Sequence, residues 1–289
     1  MHLPDGLLFF SKEEIEHLTD NWSDLEIAKK FDISYATVRK ARITHNVKTF
    51  TQKTGLVRIA ETGELRKKGS VRGVIRQDNL DVTYFSAIDT PKKAYWLGML
   101  LADGWSTLRN GVPKEVGLAC SPKDIHILQE FQKEINHKGR IVIKTNKSSL
   151  KKDNISQIAT IRITCQEFTR LAIEAGVTPK KSGKLYIPRS VHDFPAEFCR
   201  GFFDGDGSIS EKNFTFICGS AGFQKELQTF IQTYTGVNLY PAALISPTTG
   251  KPVERLSGYK KDRGVLEWMY VDPDPCLERK YKKFVGSWC

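Results

Sequence analysis

Two stretches of this chain repeat one pattern. YWLGMLLADGWS, beginning at Tyr95, and FCRGFFDGDGSI, beginning at Phe198, share G-x-x-x-(small)-D-G, and their final aspartates are Asp103 and Asp206. Downstream, LQEF at 128–131 answers LQTF at 227–230. An internal duplication is the economical reading, so each copy must fold as half of a pseudo-symmetric whole. Between these marks each copy reads helix, two strands, helix, two strands, helix. In the first copy these fall at 91–104, 105–109, 114–120, 123–137, 140–145, 155–164 and 166–176. The second follows the same order and ends with the helix RGVLEWMY and an apolar-basic tail, CLERKYKKFVG. The fold class expected is α/β in the α+β sense, built from two αββαββα repeats.

On a helix, Gly98 and Ala102 lie four residues apart, as do Gly201 and Gly205, so each motif helix has a flat strip where another backbone can approach. If the two strips meet, Asp103 and Asp206 arrive side by side at the same end, with Gly104 and Gly207 expected as left-handed caps. That placement is electrostatically poor. A carboxylate in the last helical turn opposes the helix dipole by roughly 0.3 to 1 kcal/mol, and two together repel further. A cation should compensate. Oxygen ligands without Cys or His nearby suit Mg²⁺, which keeps several waters and takes phosphate oxygens as further ligands. Such an ion can ionise an attacking water and stabilise both oxygens of an in-line phosphodiester displacement. Asp103 and Asp206 are thus the candidate catalytic acids and metal ligands.

The remainder of the chain bears on partners. The 289 residues carry a net charge of +11, which favours polyanions, and 40% hydrophobic residues, which suffices for a folded core. The longest apolar stretch, Tyr95 to Ala102, is under half of the roughly 20 residues that a membrane helix needs. With no basic-then-apolar leader and no CxxC pair among six cysteines, the expectation is a cytoplasmic protein without a disulfide framework or a zinc site. The chain begins at Met1 and lacks a terminal His-Asn, so a free-standing product is expected rather than an intein. Residues 1–38 are net acidic, and the sign switches at Arg39. Ser11-Lys-Glu-Glu14 and Ser23-Asp-Leu-Glu26 are capping boxes that start two helices, and a third restarts at Ser34 after a break at Asp32-Ile33. IAKKFDISYATVRKA resembles a helix-turn-helix, in which Val38 and Ala41 face the core and Tyr35, Thr37, Arg39, Lys40 and Arg42 point outward as DNA contacts. The domains expected are a helix-turn-helix at 1–48, a basic linker at 49–90 that could follow DNA through Lys67, Lys68 and Arg72, and repeats at 91–189 and 190–289.

WLGMLLADG and CRGFFDGDG together resemble the LAGLIDADG homing endonucleases in their single-chain, two-motif form. The resemblance covers roughly 90–289. It places Gly98 and Gly201 on the motif glycine, Ala102 and Gly205 on its small residue, Asp103 and Asp206 on its catalytic acid, and Gly104 and Gly207 on its last glycine. It implies that the motif helices form the interface between repeats, that the sheets form a saddle over the DNA major groove, and that each acid serves one strand of a long pseudo-palindromic target in a divalent-metal-dependent double-strand break. On that account Arg140, Lys144, Arg162 and Arg255 are strand residues placed for DNA, and the chain acts as a monomer needing no protein partner. The family also uses a basic residue near each centre: Lys260 is taken for the second repeat with Lys261 beside it, and Arg162 or Lys180 for the first. The sequence departs from the motif at Cys199, Arg200 and Asp204; the last is expected to face elsewhere, near Arg200. A non-cleaving DNA-binding regulator and an RNA maturase are the alternative readings.

Overall fold

The computed structural model describes residues 10–54, 56–58, 65–67, 80–147, 155–181, 183–245, 250 and 252–289. The chain forms two compact units, divided between Asp78 and Asn79.

In the first unit both capping boxes form. Ser11 Oγ accepts from Glu14 N and the Glu14 carboxylate accepts from Ser11 N, starting α1 (Lys12–Asn21). Ser23 and Glu26 do the same for α2 (Asp24–Lys30). Each exchange satisfies donors that a bare helix start leaves orphaned. Asp32 then takes φ of 50°, which turns the chain into α3 (Tyr35–Thr44), capped by Ser34. Ile15, Ile27, Val38 and Ala41 are buried together between the three helices. The stretch read as a linker is partly built: α4 (Phe50–Thr54) buries Phe50, and β1 (Leu56–Arg58) pairs antiparallel with β2 (Leu65–Lys67).

The second unit opens earlier than the sequence boundary suggests. Leu80, Tyr84, Phe85 and Ile88 are buried in its core, because these apolar residues pack by tertiary contact and follow no helical or strand period. Then come α5 (Pro91–Asp103), β3 (Gly104–Arg109), β4 (Val112–Cys120), α6 (Ile125–Glu134), β5 (Val142–Lys147), β6 (Ile155–Ile163) and α7 (Gln166–Glu174). The second repeat answers with α8 (Pro195–Asp206), β7 (Gly207–Ile209), β8 (Asn213–Cys218), α9 (Ala221–Thr235), β9 (Tyr240–Ile245), β10 (Pro252–Tyr259) and α10 (Gly264–Met269), followed by α11 (Glu278–Trp288). The antiparallel sheets run β3-β4-β6-β5 and β7-β8-β10-β9, the same order twice, so the duplicated αββαββα architecture expected from the sequence is present. One sheet face carries the core, with Val116, Leu118, Ile161 and Ile163 in the first repeat and Phe214, Phe216 and Leu256 in the second. Among the described residues no helix is long and apolar enough to cross a membrane.

Candidate active site at the motif helix tips

The two motif helices pack directly on one another through their small residues. A β-carbon on Gly98 would collide with the carbonyl oxygen of Phe198 and lie 2.8 Å from Phe202 N. One on Gly201 would strike the carbonyl oxygen of Tyr95 and lie 3.0 Å from Met99 N, and Gly205 sits against the Ala102 methyl. Backbone meets backbone, which only glycine permits. The contact carries the two C-terminal tips together: a β-carbon on Gly205 would stand 3.5 Å from the Asp103 carboxyl carbon.

Gly104 and Gly207 are not left-handed caps. Both are extended, with φ of −84° and −104°, because each helix runs straight into the next strand. Their need for glycine is steric: a side chain on Gly104 would press on the Leu100 carbonyl at 2.6 Å, and one on Gly207 would strike Phe203.

Desolvation by the packed helix tips first, and the Asp206 carboxylate second, push the Asp103 carboxyl up to about 6, although the residue still presents exposed surface. Burial also raises Asp206. Lys181 and Lys280 pull both carboxyls the other way without cancelling the desolvation. Lys181 Nζ donates to the carbonyls of Leu100 at 3.2 Å, Leu101 at 2.6 Å and Ala102 at the end of α5, the first of which also accepts from Gly104 N. Lys280 Nζ donates to the carbonyls of Phe203 at 2.6 Å and Asp204 at 2.7 Å at the end of α8. The last carbonyls of a helix are under-paired and carry partial negative charge, so an ammonium there is favoured on both counts. Burial lowers both lysines to about 8 while the carboxylates pull the other way.

These lysines displace the sequence-based choices. Lys260 Nζ donates to the Ser287 carbonyl at the far end of α11 and lies 4.6 Å from the Trp288 ring centroid, so it serves that helix end and not the acids. Lys261 lies over Tyr240, 5.0 Å from the ring centroid. Lys180 precedes Lys181 by one residue and is exposed. A signal was present but unread: Lys180-Lys181 and Arg279-Lys280 are basic pairs at similar distances after their acids.

Asp204 is buried and accepts from Tyr95 Oη at 3.0 Å, Tyr270 Oη at 3.1 Å and Leu277 N at 2.7 Å. Arg200, expected as its partner, instead donates to the carbonyls of Pro275 at 3.0 Å and Met269 at 2.6 Å. Both hold the chain segment that delivers Lys280.

The other candidates are dispersed. Arg140 is exposed just before β5, Lys144 is exposed on β5, and Arg162 and Arg255 lie on the sheet faces opposite the core. In the first unit Tyr35, Arg39 and Lys40 share an exposed surface of α3 with Ile43. Thr37 is half-buried and shares a hydrogen bond with Ser34 Oγ. Arg42 does not point outward: it bonds Asp24 at 3.0 Å and the Val47 carbonyl at 3.1 Å, because its neighbour across α2 is a buried carboxylate. Lys68 and Arg72 lie outside the described residues, as does the Lys67 side chain.

Among the described residues there is no cluster of three or more His, Cys, Asp or Glu placed to hold a metal. The chain offers two crowded carboxylates, which fit a hard divalent cation that completes its shell with water and phosphate oxygens.

No family model matches the chain, and no curated protein does. Among solved structures the chain is similar to the homing endonuclease I-WcaI bound to its DNA recognition sequence, at 14% identity and a TM-score of 0.48, over 69% of this chain and 89% of that one. It is similar to mesophilic variants of the homing endonuclease I-DmoI at 14% identity and a TM-score of 0.41, over 65% and 90% of the two chains. It is also similar to the N-terminal LAGLIDADG domain of DUF199/WhiA, at 13% identity and a TM-score of 0.42, over 72% and 96%.

Proposed function

We propose that the second unit is a divalent-cation-dependent endonuclease that cuts both strands of duplex DNA. The observation that carries this reading is the meeting of Asp103 and Asp206 at paired helix tips, each tip held by one lysine, Lys181 half-buried and Lys280 buried. Two carboxylates meeting at paired helix C-termini repel each other and oppose both helix dipoles, which a divalent cation would offset. A bound Mg²⁺ would supply an ionised water and charge stabilisation for the displaced oxygen. Asp103 and Asp206 would hold the metal, each acid serving one strand. Lys181 and Lys280 fix the two tips through their carbonyls and set the field at the carboxylates. Both acids come from one chain, so a monomer suffices. Arg140, Lys144, Arg162 and Arg255 supply contacts to the duplex, and the exposed α3 face of the first unit adds a helix-turn-helix contact through Tyr35, Arg39 and Lys40. Loading by a hard cation and action on cellular or phage DNA suit a cytoplasmic setting.

The test is incubation with a randomised duplex pool and Mg²⁺, comparing wild type with Asp103→Asn and Asp206→Asn. Linear product from wild type and single-strand nicks at most from either variant are expected. Sequence-dependent binding with intact strands in the wild type would overturn cleavage and leave a DNA-binding regulator.

A further inference from the structure

The duplication allows the two sheets to be compared position by position. Gly104 faces Leu118, which faces Ile161; Gly207 faces Phe216, which faces Leu256. One step along, on the face opposite the core, the first sheet carries the row Trp105, Gly117, Arg162 and the second the row Ser208, Thr215, Ser257. The rows differ in kind. In the first, the Trp105 indole lies across Gly117, where any β-carbon would strike the ring. Its Nε1 donates to Glu115 Oε1 at 3.2 Å. Arg162 Nη1 stands 3.6 Å from that same oxygen, its guanidinium lies 5.6 Å from the ring centroid, and half of its side chain, 51%, is exposed. The guanidinium is therefore steered by a ring and a carboxylate while its donors remain unspent. In the second row, Thr215 and Ser257 are buried and their hydroxyls bond each other at 3.1 Å, leaving Ser208 alone exposed.

The second sheet has its own arginine, at a different register. Arg255 faces Ile217 on β8, and the matching place in the first sheet is Thr160, facing Ala119. Arg162 and Arg255 are thus two strand positions out of pseudo-symmetry, about 7 Å at roughly 3.3 Å per residue. That is about two base-pair steps of B-DNA at 3.4 Å each. The Arg255 Nε is buried without a hydrogen-bond partner in the described structure.

We infer that the two repeats read guanine at different places: the Trp105–Glu115–Arg162 unit specifies a G·C pair in one half of the target, and Arg255 specifies guanine two base pairs out of palindromic register in the other. The inference rests on the DNA reading above. An arginine fork matches O6 and N7 of guanine in the major groove, and a carboxylate accepts from N4 of the paired cytosine. Glu115 Oε2 has no bond among the described residues and is free for that second role.

The experiment is selection of bound duplexes from a randomised pool by the full-length protein in EDTA, so that binding alone is read, with cleavage of the selected sequence in Mg²⁺ scored separately. The expected site has one G·C preference in each half, offset by two base pairs from a perfect palindrome. Arg162→Lys keeps the charge and loses the fork, and should lower discrimination at its own pair by about 10- to 100-fold while sparing the other half. Arg255→Lys should do the converse. A perfectly palindromic site, or an Arg162→Lys variant that weakens all sequences alike as a phosphate contact would, overturns the inference. A selected site that is never cut removes the nuclease reading and leaves the inference standing, whereas a pool with no enriched sequence removes both.

Discussion

The motif helices of the two repeats share a backbone plan and differ along one face. Leu97 and Leu101 are both buried on α5, one residue ahead of the packing positions Gly98 and Ala102. The same places on α8 hold Arg200 and Asp204, equally buried. A leucine pair needs only apolar neighbours, whereas the charged pair must find specific partners, and it finds them in Tyr95, Met269, Tyr270, Pro275 and Leu277. Tyr95 belongs to the first repeat, so one of these bonds ties the repeats together. The difference shows two ways of placing a lysine at a helix tip. Apolar packing suffices for Lys181, while a buried polar anchor positions the segment that carries Lys280.

Removing that anchor should give the largest effect. Asp204→Leu copies the first repeat but strands two tyrosine hydroxyls and a backbone N–H and removes the carboxylate's attraction for the Lys280 ammonium, and should cost about 3 to 5 kcal/mol in chemical denaturation. If it proves neutral, the anchor is dispensable and the contrast between repeats fails. Next come Gly98→Ala and Gly201→Ala, which drive a methyl into a facing carbonyl. Each should cost about 1 to 3 kcal/mol, by similar amounts because the two contacts mirror each other. A large inequality between them would show that the helices do not pack as equals.

The pH dependence sharpens the comparison further. With Asp103 raised to about 6, the folded chain keeps a proton between about pH 4 and 6 that the unfolded chain has released, so this group's contribution to stability falls as pH rises through that window. Lys181 and Lys280, lowered to about 8, work in the opposite sense: the unfolded chain holds protons there that the folded chain has lost, and stability rises with pH above about 8. Denaturation midpoints across pH should lose part of the acid slope in Asp103→Asn, since Asp206 is raised too, and part of the alkaline slope in Lys181→Met. The smallest effect concerns the first unit. Arg42→Ala should lower its stability by about 1 kcal/mol or more through the lost bond to buried Asp24, and Arg39→Ala should leave stability unchanged while weakening DNA binding and its salt slope.

Much of the scaffold was readable because its signals are local. Capping boxes, the alternation of helical and strand periods, and the repeated glycine pattern each speak within a few residues, and the elements follow them closely. The candidate acids carried their own mark, being the last residues of two small-residue strips. Arg42 shows where that kind of reading stops, since an exposed-looking position on a helical wheel became a clamp once Asp24 lay opposite. Lys260 shows it again: strand-end proximity favoured it, and the fold turned it toward the end of α11.

The chain's order of residues alone determined that there are two copies, that their helices can touch backbone to backbone, and that each touching helix ends in a carboxylate. Only tertiary structure decided which lysine reaches each tip, that Asp204 is an anchor and not an acid of the site, and that Gly104 and Gly207 are required for clearance and not for handedness. The physical reason is range. Periodicity and capping are short-range properties of the backbone, whereas a buried ammonium or carboxylate takes its role from whichever acceptors and donors distant segments bring to it.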